Sequence, residues 1–318
     1  MSEFNIINIG GNYSKDKIYA DMESLLDKFG RLLVLLDVTL EADCFKELKR
    51  ILKEENIIYL PLALGNKSKD TNLFFVEIAN REILGKIGKE ICEKITANFD
   101  IQNNKYFVHG FGASLLENKM INERFKKSLV VQDITSKILF RWYDPRVLSY
   151  LDQIFHEVEL NSLLGIFESW KFVHPTGYFS WNKTKDQQFI SRKIYKLSPE
   201  QSLALDLIEI SNQVFVQSFN YEEIDKENLN PKNILLNLYM AHEKNKVDRY
   251  ADLFTYGLYA EILGRNFLIH PEVKNILEKY WERAETEYDF NEAMNFIDRD
   301  LWKVIKQDLK KLEIMTHG

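Results

Sequence analysis

The chain has 318 residues, of which 45% are hydrophobic and 28% are charged, and this composition is typical of a soluble globular protein with one large domain or two smaller ones. Its formal net charge of −6 argues against nucleic acid as a partner, because such binding usually needs a basic face. Only two cysteines occur, Cys44 and Cys92, and no apolar run reaches the roughly 20 residues of a membrane-spanning helix. Because the opening residues also lack the features of a secretory signal peptide, we expect a cytoplasmic protein without stable membrane insertion.

Helical and strand-like patterns alternate in the first half of the chain. One helical stripe ends at Gly30, where a C-terminal cap is expected, and Asn80 is placed to cap the start of another. Because strands that alternate with helices commonly pair in parallel, we predict an α/β lobe with a mixed, largely parallel sheet. The predicted strands of this lobe are RLLVLLD, IIYLPL, LFFVEI and KYFVHGF.

The second half of the chain follows a different pattern. The aromatic runs LLGIFESWKFV, GYFSWNK and FISRKIYKL predict antiparallel strands that close the first lobe. Ser198 then begins a capping-box signature, and Asn230 and Asp289 are placed to cap later helices. We therefore divide the chain into an α/β lobe, residues 1–197, and an all-α lobe, residues 198–318.

The stretch LFRWYDPRVL, residues 139–148, predicts a strand that runs directly into a helix. Alternation of side chains along a strand places Arg141 and Tyr143 on the same face. Asp144 is then expected to be the helix N-cap, and Pro145 the first helical residue. These two residues thereby have structural roles that need no active site.

Arg146 is the residue of this stretch that local rules do not explain. A cation in the first turn of a helix opposes the helix dipole, so we expect a carboxylate partner for it, either Asp144 or Asp37. The favoured interpretation is a structural ion-pair joint. A partner-binding surface is the second, and catalysis is the third, because arginine does not serve readily as an acid or base.

A catalytic alternative uses polar residues near the ends of predicted strands. Asp37 ends an apolar strand, and HGFGAS, residues 109–114, has two glycines before a predicted helix. The stretch matches no nucleotide-binding or hydrolase signature, so a strand-to-helix turn capped by Ser114 is favoured over an anion site. An α/β-class hydrolase using Asp37 with His109 or Ser114 stays open. The scattered histidines predict no metal site, and nothing predicts a cofactor.

The all-α lobe contains a segment, residues 247–271, that is apolar around much of its helical circumference. A buried central helix is the favoured interpretation. The alternative is a hydrophobic groove that binds the helix of another protein. The aromatic residues that would line such a groove are Tyr250, Phe254, Tyr256, Tyr259 and Phe267.

Taken together, these motifs resemble the type VI secretion effector adaptor and chaperone family, the Tap or Tec proteins often encoded between a spike protein and its toxin. The resemblance covers roughly residues 31–172 and rests above all on RWYDPRVL followed by LLGIFESW. Members usually show Gly-Pro before the third strand, where this chain has Thr71 and Asn72. The residues that match the family's pattern are Asp37, Ser114, Arg141, Tyr143, Asp144, Pro145, Arg146 and Trp170.

The resemblance implies a cytoplasmic, non-enzymatic loading factor without a cofactor. Such a protein would bind a cognate toxic effector, shield its N-terminal part and deliver it to a VgrG-type spike. The all-α lobe is similar to the variable C-terminal region of these adaptors, and it is the candidate cargo-binding region. Besides the hydrolase, a toxin-binding immunity protein is an alternative that would share the effector as a partner.

Overall fold

The computed structural model describes residues 6–9, 14–39, 41–60, 73–103, 105–183, 195–283 and 290–317. Thr71, Asn72 and the cap predicted at Asp289 lie outside the described residues. The chain divides into two compact units, residues 1–202 and 203–318.

The first unit contains both strands and helices. Its strands are β1 (Ile7–Asn8), β2 (Leu32–Asp37), β3 (Ile57–Leu60), β4 (Leu73–Ile78), β5 (Val108–Ala113), β6 (Val130–Gln132), β7 (Lys137–Leu139), β8 (Ser169–His174), β9 (Gly177–Asn182) and β10 (Tyr195–Lys196). Its helices are α1 (Lys15–Phe29), α2 (Ala42–Ile51), α3 (Arg81–Thr96), α4 (Asn118–Ser128), α5 (Pro145–Leu148), α6 (Leu151–Ile154) and α7 (Glu157–Leu164).

The second unit is helical in its described part. Helix α8 (Pro199–Ser218) leads into it from the first unit. Its other helices are α9 (Pro231–Asn245), α10 (Tyr250–Leu263), α11 (Pro271–Arg283), α12 (Phe290–Met294) and α13 (Arg299–His317), with a 3₁₀ turn at Phe267–Ile269. The predicted helices of the C-terminal half are thus confirmed. Among the described helices, none combines the length and the apolar character needed to cross a bilayer.

The main sheet corrects the predicted topology. It has seven strands in the order β1-β9-β8-β5-β2-β4-β3, and every neighbouring pair is antiparallel. The prediction of a largely parallel sheet is therefore wrong, although a mixed α/β unit is present. A separate three-stranded sheet, β10-β6-β7, contains a parallel pair, β10 with β6.

The reason for the error lies in how the helices connect the strands. Strands β2 and β3 run in the same direction on either side of α2 in the chain, but β4 is inserted between them in the sheet. Likewise β4 and β5 flank α3 and run in the same direction, with β2 between them. The segment from β2 to β5 therefore has the connectivity of a split β-α-β unit. Each helix of this unit connects two strands that run in the same direction but are not neighbours in the sheet.

Both faces of the sheet are covered, which explains the continuous apolar run of β2. All six β2 residues are buried. One face packs against α1, α2 and α3 in a single hydrophobic core. On the other face the ring of Phe75 meets the rings of Phe125, Phe167 and Trp170, with centroids 5.2, 5.9 and 6.3 Å away. This aromatic face carries the candidate site.

Local capping rules predicted several helix ends correctly. Gly30 adopts the left-handed conformation after α1, with φ of 73°, and Asn80 caps α3. Ser198 and Gln201 form the predicted capping box, in which each side chain bonds the other residue's backbone N–H, at 3.2 and 3.0 Å. Asn230 accepts from the N–H of Lys232 at the start of α9. These ends were predictable because the chemistry lies within a few residues.

Candidate functional site

The stretch 139–148 forms a turn between β7 and α5. The strand ends at Leu139, earlier than predicted, and Trp142 and Tyr143 are both buried. Strand alternation therefore does not extend to Tyr143. The indole N–H of Trp142 donates to Ser128 Oγ at 2.9 Å, which ties the turn to the end of α4.

Asp144 and Arg146 form the first half of an Arg–Asp cluster, which we define as Asp37, Arg141, Asp144 and Arg146. As predicted, Asp144 is the N-cap of α5 and accepts the backbone N–H of Arg146 at 3.0 Å, with Pro145 as the first helical residue. The guanidinium of Arg146 donates from Nε to Oδ1 at 3.0 Å and from Nη2 to Oδ2 at 2.7 Å. Of the two partners predicted for Arg146, Asp144 is confirmed. A bidentate pair of this kind is among the stronger charge-assisted contacts.

Asp37 and Arg141 form the second half. Arg141 Nη2 donates to Asp37 Oδ2 at 3.2 Å and also lies 3.7 Å from Asp144 Oδ2, so this arginine bridges the two carboxylates. Asp37 Oδ1 accepts from the Thr39 backbone N–H and hydroxyl, at 3.1 and 2.5 Å. The cluster thus joins the end of β2 to the start of α5.

The ionisation of these groups follows from their partners. Burial acts to raise the pKa of Asp144, but the Arg146 hydrogen bonds and the nearby positive charges outweigh it and lower the pKa to about 2. Burial likewise opposes the contacts of Asp37 with His109 and Thr39, and its pKa lies below its usual value. The bond to Asp144 raises the pKa of Arg146. Both carboxylates are therefore ionised at neutral pH.

His109 lies beneath this cluster and is fully buried. Its Nε2 is 3.8 Å from Asp37 Oδ2, which is beyond hydrogen-bonding distance, and its ring meets the edge of Tyr143 at a centroid distance of 5.0 Å. Neither ring nitrogen has a hydrogen-bond partner among the described residues. The hydrolase hypothesis thus has Asp37 beside His109, but in a place that a substrate cannot reach without rearrangement.

Ser114 lies apart from the cluster. Its hydroxyl donates to the Ile166 carbonyl at 2.5 Å and accepts the Leu116 N–H at 3.2 Å. Because α4 begins at Asn118, the expected capping of that helix by Ser114 is wrong. Ser114 is five residues beyond His109 along an extended strand, or about 16 Å at strand spacing, so the two side chains form no nucleophile–base pair.

The glycines of HGFGAS belong to a packed strand. A Cβ on Gly110 would lie 2.8 Å from Trp170 Cζ2, and one on Gly112 would lie 2.8 Å from Trp170 Cε3 and overlap the Ser169 carbonyl. The indole of Trp170 itself stacks on Phe167 at 4.2 Å. Close approach of the Trp170 ring and of the Lys171 and Ser169 carbonyls, rather than an anion, explains both glycines.

The aromatic residues of the all-α unit are mostly internal. Tyr256 and Phe267 are buried and their ring centroids are 5.2 Å apart, which agrees with the interpretation of a buried central helix. Tyr259 is half-buried and stacks on Trp302 at 4.8 Å. Phe254 is half-buried, and Tyr250 is the exposed member of the predicted set. These residues do not present the continuous groove that the alternative needs.

Sequence reasoning missed a second polar cluster, on the opposite face of the sheet. Asp21, on α1, accepts from Lys17 Nζ at 2.9 Å, Lys171 Nζ at 3.0 Å and the Tyr178 hydroxyl at 2.9 Å. The available signal was an acidic residue on the apolar stripe of a helix. It also missed Tyr106, whose ring lies 5.0 Å from the Arg146 guanidinium carbon.

Within the described ranges, no group of three or more His, Cys, Asp or Glu side chains is arranged to hold a metal ion. No protein-family model, curated protein or solved structure matches the chain.

Proposed function

We propose that this chain is a cytoplasmic, non-enzymatic adaptor and chaperone that binds a cognate type VI secretion effector and loads it onto a VgrG-type spike. The observation that carries the proposal is the resemblance of RWYDPRVL to the motif of that family, because it is the most specific stretch of the sequence. The contacts of the motif residues add chemical support for a binding role.

The first support is that the carboxylates of the Arg–Asp cluster are already occupied. Asp37 and Asp144 accept hydrogen bonds from arginines and backbone groups, and each has a lowered pKa. A general base works best with a pKa near the operating pH. Lowered values of this kind suit structural ions better than proton transfer.

The second support is the exposure of the arginines. The Arg141 side chain is 45% exposed and that of Arg146 is 35% exposed, while both carboxylates are buried beneath them. The cluster therefore presents its guanidinium edges to solvent. Arginine is enriched among the residues that dominate protein–protein binding energy, since its planar head makes several directed hydrogen bonds.

Co-expression with an effector encoded beside this chain tests the proposal. We expect the soluble yield of the effector to rise and the two proteins to elute together in gel filtration. An effector that is equally soluble alone and never associates with the chain would refute an adaptor role. If deletion in the attacking cell leaves delivery intact but makes that cell sensitive to the toxin, the immunity interpretation replaces the adaptor.

A matched pair of variants then tests the exposed guanidinium edge. Arg141→Ala should weaken the complex by about tenfold, the usual scale for loss of an interface anchor. Arg50→Ala, which removes an exposed arginine from α2, serves as the control and should leave affinity unchanged. Melting temperatures of both variants separate lost binding from lost folding. Equal affinity of a folded Arg141→Ala variant would remove the cluster from the interface.

A further inference from the structure

A groove in the all-α unit lies outside the Arg–Asp cluster and the aromatic set described above. It encloses about 750 Å³ between the end of α9, the 3₁₀ turn and the start of α11. Its volume is within the range of sites that bind organic groups. The lining residues are Lys244, Asn245, Lys246, Val247, Leu268, Ile269, Lys274, Leu277 and Glu278. We call this set the basic groove.

The basic groove has a buried apolar floor with an exposed apolar residue beside it. Val247 and Leu277 are buried at its base, while Ile269 is 67% exposed. An exposed isoleucine beside a buried apolar floor is suited to cover by another apolar group. Because Ile269 faces water, the site is a groove that can take part of a chain rather than a closed pocket for a small molecule.

The rim of the groove is positively charged. Lys244, Lys246 and Lys274 lie along it, and the acidic lining residue, Glu278, is 3.6 Å from Lys274. Three lysines against one glutamate stand out in a chain with a net charge of −6. Such a rim attracts negative charge and repels basic partners.

Lys246, on the rim of the groove, has an unusual backbone conformation. It is the C-cap of α9 and adopts a left-handed conformation, with φ of 55° and ψ of 37°. Among the described residues other than glycine, it is the one with positive φ. Glycine, or sometimes asparagine, normally occupies this position because a Cβ is strained there. The exposed Lys246 ammonium donates to the Glu243 carbonyl at 3.0 Å, which holds this charge near the end of α9.

We propose that the basic groove binds an acidic, apolar polypeptide segment of another protein. Apolar side chains of the segment would cover Ile269 and the floor, and its carboxylates would meet Lys244, Lys246 and Lys274. This inference does not depend on an adaptor function, since the groove and its charge would serve any protein that captures such a segment.

The test is a selection from a random peptide library displayed on phage, against the immobilised chain with both of its units present. We expect enriched peptides that combine Asp or Glu with large apolar residues, and we expect added salt to weaken them. Enrichment of peptides without this bias, or no enrichment at all, would overturn the proposal. Binding of a fluorescent fatty acid in place of peptides would assign the groove to lipids, and a concentration-dependent dimer that buries it would assign it to a second copy.

Lys246→Gly separates binding from folding. It relieves the left-handed strain and should keep or raise the melting temperature, while the best selected peptide should bind about two- to fivefold more weakly, the scale of one exposed charge pair. Ile269→Asp places a carboxylate against the acidic segment and should abolish binding. Lys311→Ala, an exposed lysine on α13, is the control and should bind normally. Unchanged peptide affinity in both groove variants would contradict the assignment.

Discussion

Arg141 and Asp37 are 104 residues apart in the chain, yet Nη2 of Arg141 lies 3.2 Å from Oδ2 of Asp37. The same nitrogen lies 3.7 Å from Oδ2 of Asp144, which in turn holds Arg146 through two hydrogen bonds. The end of β2, an interior strand of the sheet, and the turn after β7 are therefore fixed to each other through buried carboxylates. Removing one member should disturb the whole joint, because the remaining buried charges lose their compensation.

Asp144→Ala should lower the free energy of unfolding by about 3 kcal/mol. Loss of an N-cap accounts for about 1 kcal/mol, and the rest comes from Arg146 losing its carboxylate. Asp144→Asn keeps a capping oxygen and should cost less. Urea unfolding measures both. Asp43→Ala on α2, where the carboxylate is 94% exposed, is the control with little expected effect.

The stability of the protein should fall in acid in a window set by Asp144. Its pKa is about 2 in the folded state and near 3.8 without the fold, so its contribution is complete above about pH 4. That contribution disappears as the pH falls toward 2 and amounts to about 2 kcal/mol. The free energy of unfolding should therefore change less between pH 2 and pH 5 in Asp144→Asn than in the wild-type protein. If the free energy of unfolding had the same pH dependence in the wild-type protein and in Asp144→Asn, the ion-pair assignment would be contradicted.

Gly112→Ala should destabilise the protein by about 1–3 kcal/mol, because its Cβ would overlap the Ser169 carbonyl and crowd the Trp170 ring. Gly85→Ala on α3 is a matched control with open space around the new methyl group. That substitution should instead stabilise the helix by about 0.5–1 kcal/mol. Thermal melts of the two variants should shift in opposite directions. A harmless Gly112→Ala would return the glycine to consideration as part of an anion site.

Glu261→Gln should stabilise the protein at pH 8 and have little effect at pH 4. Burial raises the pKa of Glu261 to about 7, with partial compensation from an Asn237 hydrogen bond at 3.4 Å. Glu261 loses its proton at a lower pH in the unfolded state than in the folded state. The free energy of unfolding therefore falls as the pH rises from about 4.5 to about 7. The gain at pH 8 should be on the order of 1–3 kcal/mol. Equal stability at pH 8 would show that Glu261 is more solvated than its position indicates.

Short-range features of this protein could be predicted from its sequence, and long-range pairing could not. Asp144 and Pro145 were correctly assigned because a helix N-cap is decided by neighbouring backbone groups. The choice of Asp144 rather than Asp37 as the partner of Arg146 needed the fold, since both carboxylates were plausible in sequence. The sequence pattern predicts a strand at Arg141, which pairs with Asp37, but β7 ends at Leu139.

The sequence also contains one indication of an antiparallel sheet. The patterns of β3 and β4 follow one another without a predicted helix between them, which favours an antiparallel pair. The helices before and after them suggested parallel neighbours instead. Hydrophobic periodicity identifies strands and helices, but it does not say which strand is inserted between two others.

The pairing of β1 with β9 has a consequence for synthesis on the ribosome. Ile7 pairs with Ser180, so the edge formed by residues 7–8 has no partner until translation has passed residue 182. At a translation rate of about 5–20 residues per second, residues 7–8 stay unpaired for roughly ten seconds or more. The main sheet is therefore completed late, by the return of a segment made at the beginning, and slower translation before residue 182 lengthens the exposure of its unpaired backbone.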